Sequence, residues 1–217
     1  MPNKRKIFLV DDHPLVREGL EGLIHQQPDL VVCGHAGTWA ETLTAIPKLE
    51  LDLLILDLQL PGNPGIELLK TIRKMYPDLR VLVLSMHDER LYAERAIRAG
   101  ARGYVMKRET SSRLIAAIYQ VLEGKLAVTE QTMSAFVTKF VKGRPPTDES
   151  PAETLSDREL EVFRMLGQGQ DTRQIANSLN ISIKTVQVYC ARIKDKLKLA
   201  NAAELFREAV LWSENEL

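Results

Sequence analysis

Asp57 closes the run Leu53-Leu54-Ile55-Leu56, and a carboxylate at the end of four aliphatics needs a reason. Such a run, followed by Pro61-Gly62, reads as an internal strand of a parallel sheet covered on both faces. Asp57 then stands at or just past the strand's carboxyl end, where a charge is costly unless something pairs with it. Two readings are open at this point: a cap for the following helix, or a carboxylate used chemically in the crevice where open α/β sheets bind ligands. The neighbouring strand ends carry Asp11 and Asp12, Ser85 and Lys107. Three converging carboxylates repel, and one takes up a proton unless a cation is at hand. A hard divalent ion, Mg²⁺ above all, meets that need through a couple of carboxylates and several waters. Lys107 adds a point charge and Ser85 a hydroxyl donor, a pair suited to holding the equatorial oxygens of a phosphoryl group on Asp57. Singly, each residue has a plainer reading as a helix cap, a turn residue or a solvent-facing lysine. Their joint occurrence at the ends of the first, third, fourth and fifth strands is what points to chemistry.

The elements that must position these residues are legible as alternation. Apolar runs at 6–10, 30–36, 52–57, 80–85 and 103–106 are separated by helical periodicity at 14–26, 39–47, 64–75, 89–99 and 110–123. Five strands alternating with five helices predict a parallel sheet with helices on both faces. Pro14 and Pro64 suit first helical turns, and Gly100 stands where a C-cap glycine belongs. An amphipathic stretch at 130–141, with Met133, Phe136, Val137, Phe140 and Val141 on one side, predicts a linker helix. The proline- and charge-rich stretch 142–153 has nothing to bury and predicts a tether. The expected division is therefore 1–125, a linker over 126–153, and a helical domain over 154–217.

Composition sets bounds. With Lys plus Arg and Asp plus Glu both at 29, no global field marks a nucleic-acid or membrane binder, though an average can hide a local patch. No apolar run approaches the roughly 18 residues of a membrane span, and the N-terminus lacks a signal-peptide core, which argues for the cytoplasm. Cys33 and Cys190 lack any ligand pattern around them and are expected to be buried small hydrophobes.

The hidden patch lies in the last 64 residues, from Thr154. Ser156 with Glu159 predicts a capping box, Gly167 and Gly169 a helix end, 172–179 a short second helix, and Ser182 the cap of a third. On that third helix Val186, Cys190, Ile193 and Leu197 form one core-facing stripe, while Lys184, Thr185, Gln187, Val188, Ala191 and Arg192 belong to the outer side. Lys184, Arg192, Lys194, Lys196 and Lys198 face a single acid, Asp195. A charged helix face is usually just solvated. Helix, tight turn and basic helix in that order instead suit double-stranded DNA, the lysines and Arg192 holding phosphates and Gln187, Val188 and Ala191 facing bases.

The motifs "VDDH" (10–13), "LDLQLPG" (56–62), "LVLSMHDE" (82–89) and "GARGYVMK" (100–107) resemble those of a response-regulator receiver domain, the flavodoxin-like (βα)5 module of two-component signalling. The resemblance implies that Asp57 accepts a phosphoryl group from a sensor histidine kinase. It further implies that Asp12, Asp57, the Gln59 backbone carbonyl and, through water, Asp11 hold Mg²⁺, that Ser85 and Lys107 contact the phosphate, and that Tyr104 is an aromatic switch. Gln59 and His87 occupy positions that tune hydrolysis of the acyl phosphate, and "PGNPG" (61–65) departs from the commoner "PGMDG". Similarly, "LSDRELEVFRML", "QIANSLNISIKTVQVY" and "KLKL" resemble the LuxR-type helix-turn-helix of the NarL/FixJ family, a four-helix domain whose last helix, here 201–212, pairs two copies on promoter half-sites. Gln187 replaces a lysine common there, and Ala191 stands near a position that is often basic. The expectation is a cytoplasmic, phosphorylation-switched transcription regulator that dimerises on activation, a stoichiometric phosphoacceptor and not an enzyme. Two competing readings are an adaptor without DNA binding and an aspartyl-phosphate phosphohydrolase; the latter wants a carboxylate where Gln59 stands.

Overall fold

The computed structural model describes residues 4–60, 65–142 and 151–215, and the chain divides into two compact units, Met1–Gly143 and Arg144–Leu217. The "PGNP" loop with Pro64, most of the expected tether, and the side chains of Phe140 and Val141 lie outside what is described.

In the first unit, strands β1 (Arg5–Val10), β2 (Leu30–Ala36), β3 (Leu53–Leu56), β4 (Arg80–Ser85) and β5 (Gly103–Met106) alternate with helices α1 (Pro14–His25), α2 (Trp39–Ala45), α3 (Gly65–Met75), α4 (Glu89–Ala99) and α5 (Ser111–Leu122). The strands pair in parallel in the order β2-β1-β3-β4-β5. Since side chains alternate across a strand, Ile7, Leu9, Leu53, Ile55, Leu82, Leu84 and Val105 share one face and pack with Ile24 of α1 and Leu114, Ile118 and Val121 of α5. Their alternates Phe8, Val10, Leu54, Leu56, Val81 and Val83 are buried as completely. Both faces are therefore core, which is why the strands carry no alternation of polarity. Helix α1 starts on Pro14, α4 is capped by the Asp88 carboxylate and ends on Gly100 at φ 117°, and α5 is capped by Thr110.

Beyond α5 the chain turns back along the free edge of β5. The Tyr104 N–H donates to the Ala127 carbonyl at 2.8 Å, and the Ala127 N–H to the Arg102 carbonyl at 3.0 Å. A Cβ on Gly103 would meet Ala127 and Leu82, so glycine there permits this approach. Helix α6 (Glu130–Lys142) follows and packs on α4. The predicted apolar stripe is not its buried side: Thr132 is buried, while Met133 and Val137 are exposed and Phe136 is half-buried.

The second unit has helices and no strand among its described residues: a short turn α7 (Pro151–Thr154), then α8 (Asp157–Gly167), α9 (Thr172–Ser178), α10 (Ile183–Leu197) and α11 (Ala202–Asn215). The Ser156/Glu159 capping box forms, and Asp171 with Gln174 makes a second one at α9. Gly167 differs from its expected role as a helix stop. It remains helical, and a Cβ there would collide with the Ala209 backbone of α11, so its function is close helix packing. The α9–α10 turn passes through Asn180 at φ 50°, a conformation asparagine tolerates. Neither cysteine is fully buried, contrary to expectation; both are half-buried, and burial pushes both thiols up.

Candidate functional site

At the carboxyl rim of the sheet the expected residues meet. Asp11 and Asp57 each extend their strand by one residue, the Asp57 N–H bonding the Val10 carbonyl at 2.8 Å and the Asp11 N–H the Ala36 carbonyl at 3.0 Å. Lys107 follows β5, its N–H bonded to the Ser85 carbonyl at 2.8 Å. Its Nζ then reaches back to Asp11 Oδ2 at 2.6 Å and Asp57 Oδ2 at 2.7 Å. The second Asp57 oxygen, Oδ1, accepts from the Gln59 N–H at 3.1 Å. Asp11 Oδ1 accepts from the His13 N–H at 2.9 Å, and the His13 ring nitrogen Nδ1 lies 2.7 Å from Asp12 Oδ1. Ligand atoms from Asp11, Asp12, His13 and Asp57 all fall within 4.8 Å of one another.

Electrostatics follow from burial. Asp57 is 1% exposed, and loss of water pushes its carboxyl up to about 6 against the pull of Lys107. Burial opposes the Lys107 charge too, but the Asp57 and Asp11 carboxylates outweigh it and raise its pKa. One ammonium is shared by two of the three carboxylates, and a ligand atom of the third, Asp12, lies within 4.8 Å of theirs. Hard oxygen donors in that number suit a divalent ion of the Mg²⁺ kind.

Ser85 and Tyr104 form the next layer. Both are wholly buried, with the Ser85 hydroxyl accepting from the His87 N–H at 3.2 Å. The Tyr104 hydroxyl donates to the His87 carbonyl at 3.0 Å, and the His87 ring stacks on Tyr92 at 4.3 Å between centroids. The expected switch ring is thus seen in one position, packed inside beneath the β4–α4 loop. Burial pushes the Tyr104 phenol far up, so it acts as a neutral hydrogen-bond donor. Sequence reasoning did not single out Glu89. A glutamate in a first helical turn ordinarily faces water, yet this one is 2% exposed.

On α10, Val186 and Ile193 are buried while Cys190 and Leu197 of the predicted stripe are only half-buried. Lys184, Gln187, Val188, Ala191, Arg192 and Lys198 are exposed, and Lys194 is half-buried. Thr185 is half-buried too, and its hydroxyl and N–H both engage the Ser182 hydroxyl, at 2.8 and 3.0 Å, starting the helix. Lys196, expected at phosphates, also has a partner within the unit. Its Nζ binds Glu159 Oε2 at 2.7 Å, the same oxygen that accepts from the Ser156 N–H at 2.8 Å. Burial raises the Glu159 carboxyl, but the bonds from Lys196 and Ser156 outweigh it and hold it below its usual range. That lysine ties α10 to the start of α8.

Each unit matches a known family. Residues 7–119 match the response regulator receiver domain, and residues 153–209 match the luxR family of bacterial regulatory proteins. The chain belongs to the response regulators that join a receiver to a LuxR-type helix-turn-helix. Among curated relatives, the oxygen regulatory protein NreC of Staphylococcus epidermidis is 33% identical over 211 residues, covering 94% of this chain and 96% of that one. A solved structure of RcsB from Salmonella enterica serovar Typhimurium, bound to promoter rprA in the presence of the phosphomimetic BeF3-, is 27% identical with a TM-score of 0.63, covering 96% of this chain and 99% of that one. A LuxR-family response regulator from Aurantimonas sp. SI85-9A1 is 34% identical with a TM-score of 0.59, covering 64% of this chain and 99% of that chain. No helix among the described residues is long and apolar enough to cross a membrane.

Proposed function

We propose that this response regulator takes a phosphoryl group on Asp57 from a sensor histidine kinase and thereby switches its dimerisation and its binding to promoter half-sites. The observation that carries the reading is the Lys107 ammonium shared between Asp11 and Asp57. In this reading 1–125 is the phosphoacceptor domain, 126–153 the linker and 154–217 the DNA-binding domain, working in the cytoplasm. Asp12, Asp57 and the Gln59 carbonyl would hold Mg²⁺, and Asp11 would assist through water. The ion supplies charge neutralisation at the phosphoryl oxygens. The Asp57 carboxylate is the nucleophile, Lys107 balances the added negative charge, and the Ser85 hydroxyl is drawn to the new anion. That movement leaves room which the Tyr104 ring fills, so a local charge change biases a two-state packing element. Dimerisation is expected on the fourth and fifth strand-helix units or along α1 and α5.

Incubation with acetyl phosphate and Mg²⁺ tests this reading. It predicts one acid-stable, hydroxylamine-labile phosphate on Asp57, absent in Asp57→Asn and after chelation. Incorporation that survives either treatment would overturn it.

A further inference from the structure

We infer that Glu89 is a positioning residue through which the phosphoacceptor pocket holds the first turn of the linker helix. Glu89 opens α4, two residues beyond His87, and its carboxylate is turned inward. Oε1 accepts from the Thr129 backbone N–H at 2.7 Å. Thr129 immediately precedes α6, where its hydroxyl accepts from the Thr132 N–H at 3.3 Å and donates to the Thr132 hydroxyl at 3.0 Å. The buried Glu89 thus grips the residue that caps the linker helix. Its other oxygen, Oε2, is buried without a hydrogen-bond partner among the described residues.

A buried carboxylate that is half satisfied costs free energy, and such an arrangement persists where the surroundings hold it. Those surroundings are the switch. The Tyr104 phenol feels the Glu89 charge and donates to His87, whose N–H is bonded to Ser85. Tyr104 is also tied to the approach to α6, because its own N–H bonds Ala127, two residues before Thr129. Two routes therefore run from Ser85 and Tyr104 to the same turn, one through the β4–α4 loop and Glu89, the other along β5. When Tyr104 packs inward, Glu89 and Thr129 are held in register; when it swings out, the loop carrying Glu89 loses its support. Phosphorylation, by favouring the inward ring, fixes the direction in which α6 leaves the receiver. This inference rests on the proposed role of Asp57.

The test uses the full chain with beryllofluoride as the phosphoryl mimic and a duplex selected from randomised sequence by the wild-type protein. Allosteric couplings commonly change affinity about 5- to 150-fold. The wild type is expected to bind more tightly with beryllofluoride and to show slower amide exchange over 127–132. Glu89→Leu removes the acceptor, so its affinity ratio with and without beryllofluoride should fall to about one, while Asp57 takes phosphate from acetyl phosphate at the wild-type rate. Glu89→Gln keeps a carbonyl acceptor and should restore most of the ratio, which a merely structural role for the charge would not. A Glu89→Leu protein with an undiminished ratio, or a Gln variant as uncoupled as Leu, overturns the clamp. Should Glu89→Leu fail to fold, the wild-type exchange decides: no slowing over 127–132 while DNA affinity responds also overturns it. A wild type whose DNA affinity ignores beryllofluoride refutes the proposed function itself, and the clamp with it.

Discussion

The acidic pocket and the outer face of α10 solve opposite problems. Around Asp57 the charges are placed in advance: Asp11, Asp57 and Ser85 are buried, and Lys107 lies within 2.7 Å of both carboxylates before any phosphoryl group arrives. On α10 most of the residues suited to DNA are exposed, and Lys196 is paired with Glu159 of α8. Chemistry at one atom requires preorganised charge. Recognition of a long polyanion tolerates flexible lysines, because phosphate contacts position the protein without reading sequence. The contrast predicts that substitutions in the pocket act in an all-or-none way, whereas those on α10 act in small independent steps.

The largest effect is expected at Lys107. Replacing it with methionine leaves Asp57 without its nearest cation, and phosphorylation by acetyl phosphate should slow by at least ~100-fold, measured as acyl phosphate formed over time. A slowing of only a few-fold would break the contrast at its preorganised end.

Next comes stability. The Asp57 carboxyl is raised from 3.8 to about 6 in the folded protein, so folding favours its protonated form. Its contribution is present below about pH 4 and is lost as pH rises to about 6, leaving the ionised carboxylate to cost about 2–3 kcal/mol at pH 7. Without divalent ions, Asp57→Asn should therefore stabilise the receiver by about that amount at pH 7.5 and by little below pH 4. Urea unfolding at the two pH values measures this, and equal effects at both would contradict the burial argument.

A smaller, more local effect is expected at Gln187, whose amide can pair with adenine N6 and N7 while Val188 meets a thymine methyl. Gln187→Ala should flatten preference at one base pair in each half-site, worth about 1–3 kcal/mol of discrimination. Selection from randomised duplexes checks it, and an unchanged preference would remove Gln187 from the reading set. Smallest of all is the distinction between two lysines two residues apart. Lys194→Ala should reduce the slope of log affinity against log salt by about one, and Lys196→Ala should leave that slope nearly unchanged while lowering the thermal midpoint of the helical unit. Equal slopes would show that Lys196 leaves Glu159 to meet phosphate.

These comparisons also show what is legible in a sequence. Asp11, Asp57, Ser85 and Lys107 could be placed together because parallel strands bring their carboxyl ends to one rim whatever the details of packing. The starts of α8 and α10 followed from the caps Ser156 and Ser182. The distant partners of Glu89, Lys196 and Gly167 were not legible. A first-turn glutamate, a lysine in a basic run and a glycine near a helix end each have an ordinary local explanation, and only partners distant in the chain, Thr129, Glu159 and Ala209, reveal the other one. The apolar stripe of α6 likewise did not point to Thr132, which is buried beside its hydrogen-bond partner Thr129.

The central claim is that occupancy of Asp57 controls DNA binding, and the most direct measurement is the affinity of the full chain for a selected duplex, with and without beryllofluoride, in the wild type and in Asp57→Asn. The account predicts a rise in wild-type affinity of about 5-fold or more, strictly dependent on Mg²⁺, and none in Asp57→Asn. Equal affinities in the wild type, or an equal rise in Asp57→Asn, would contradict it.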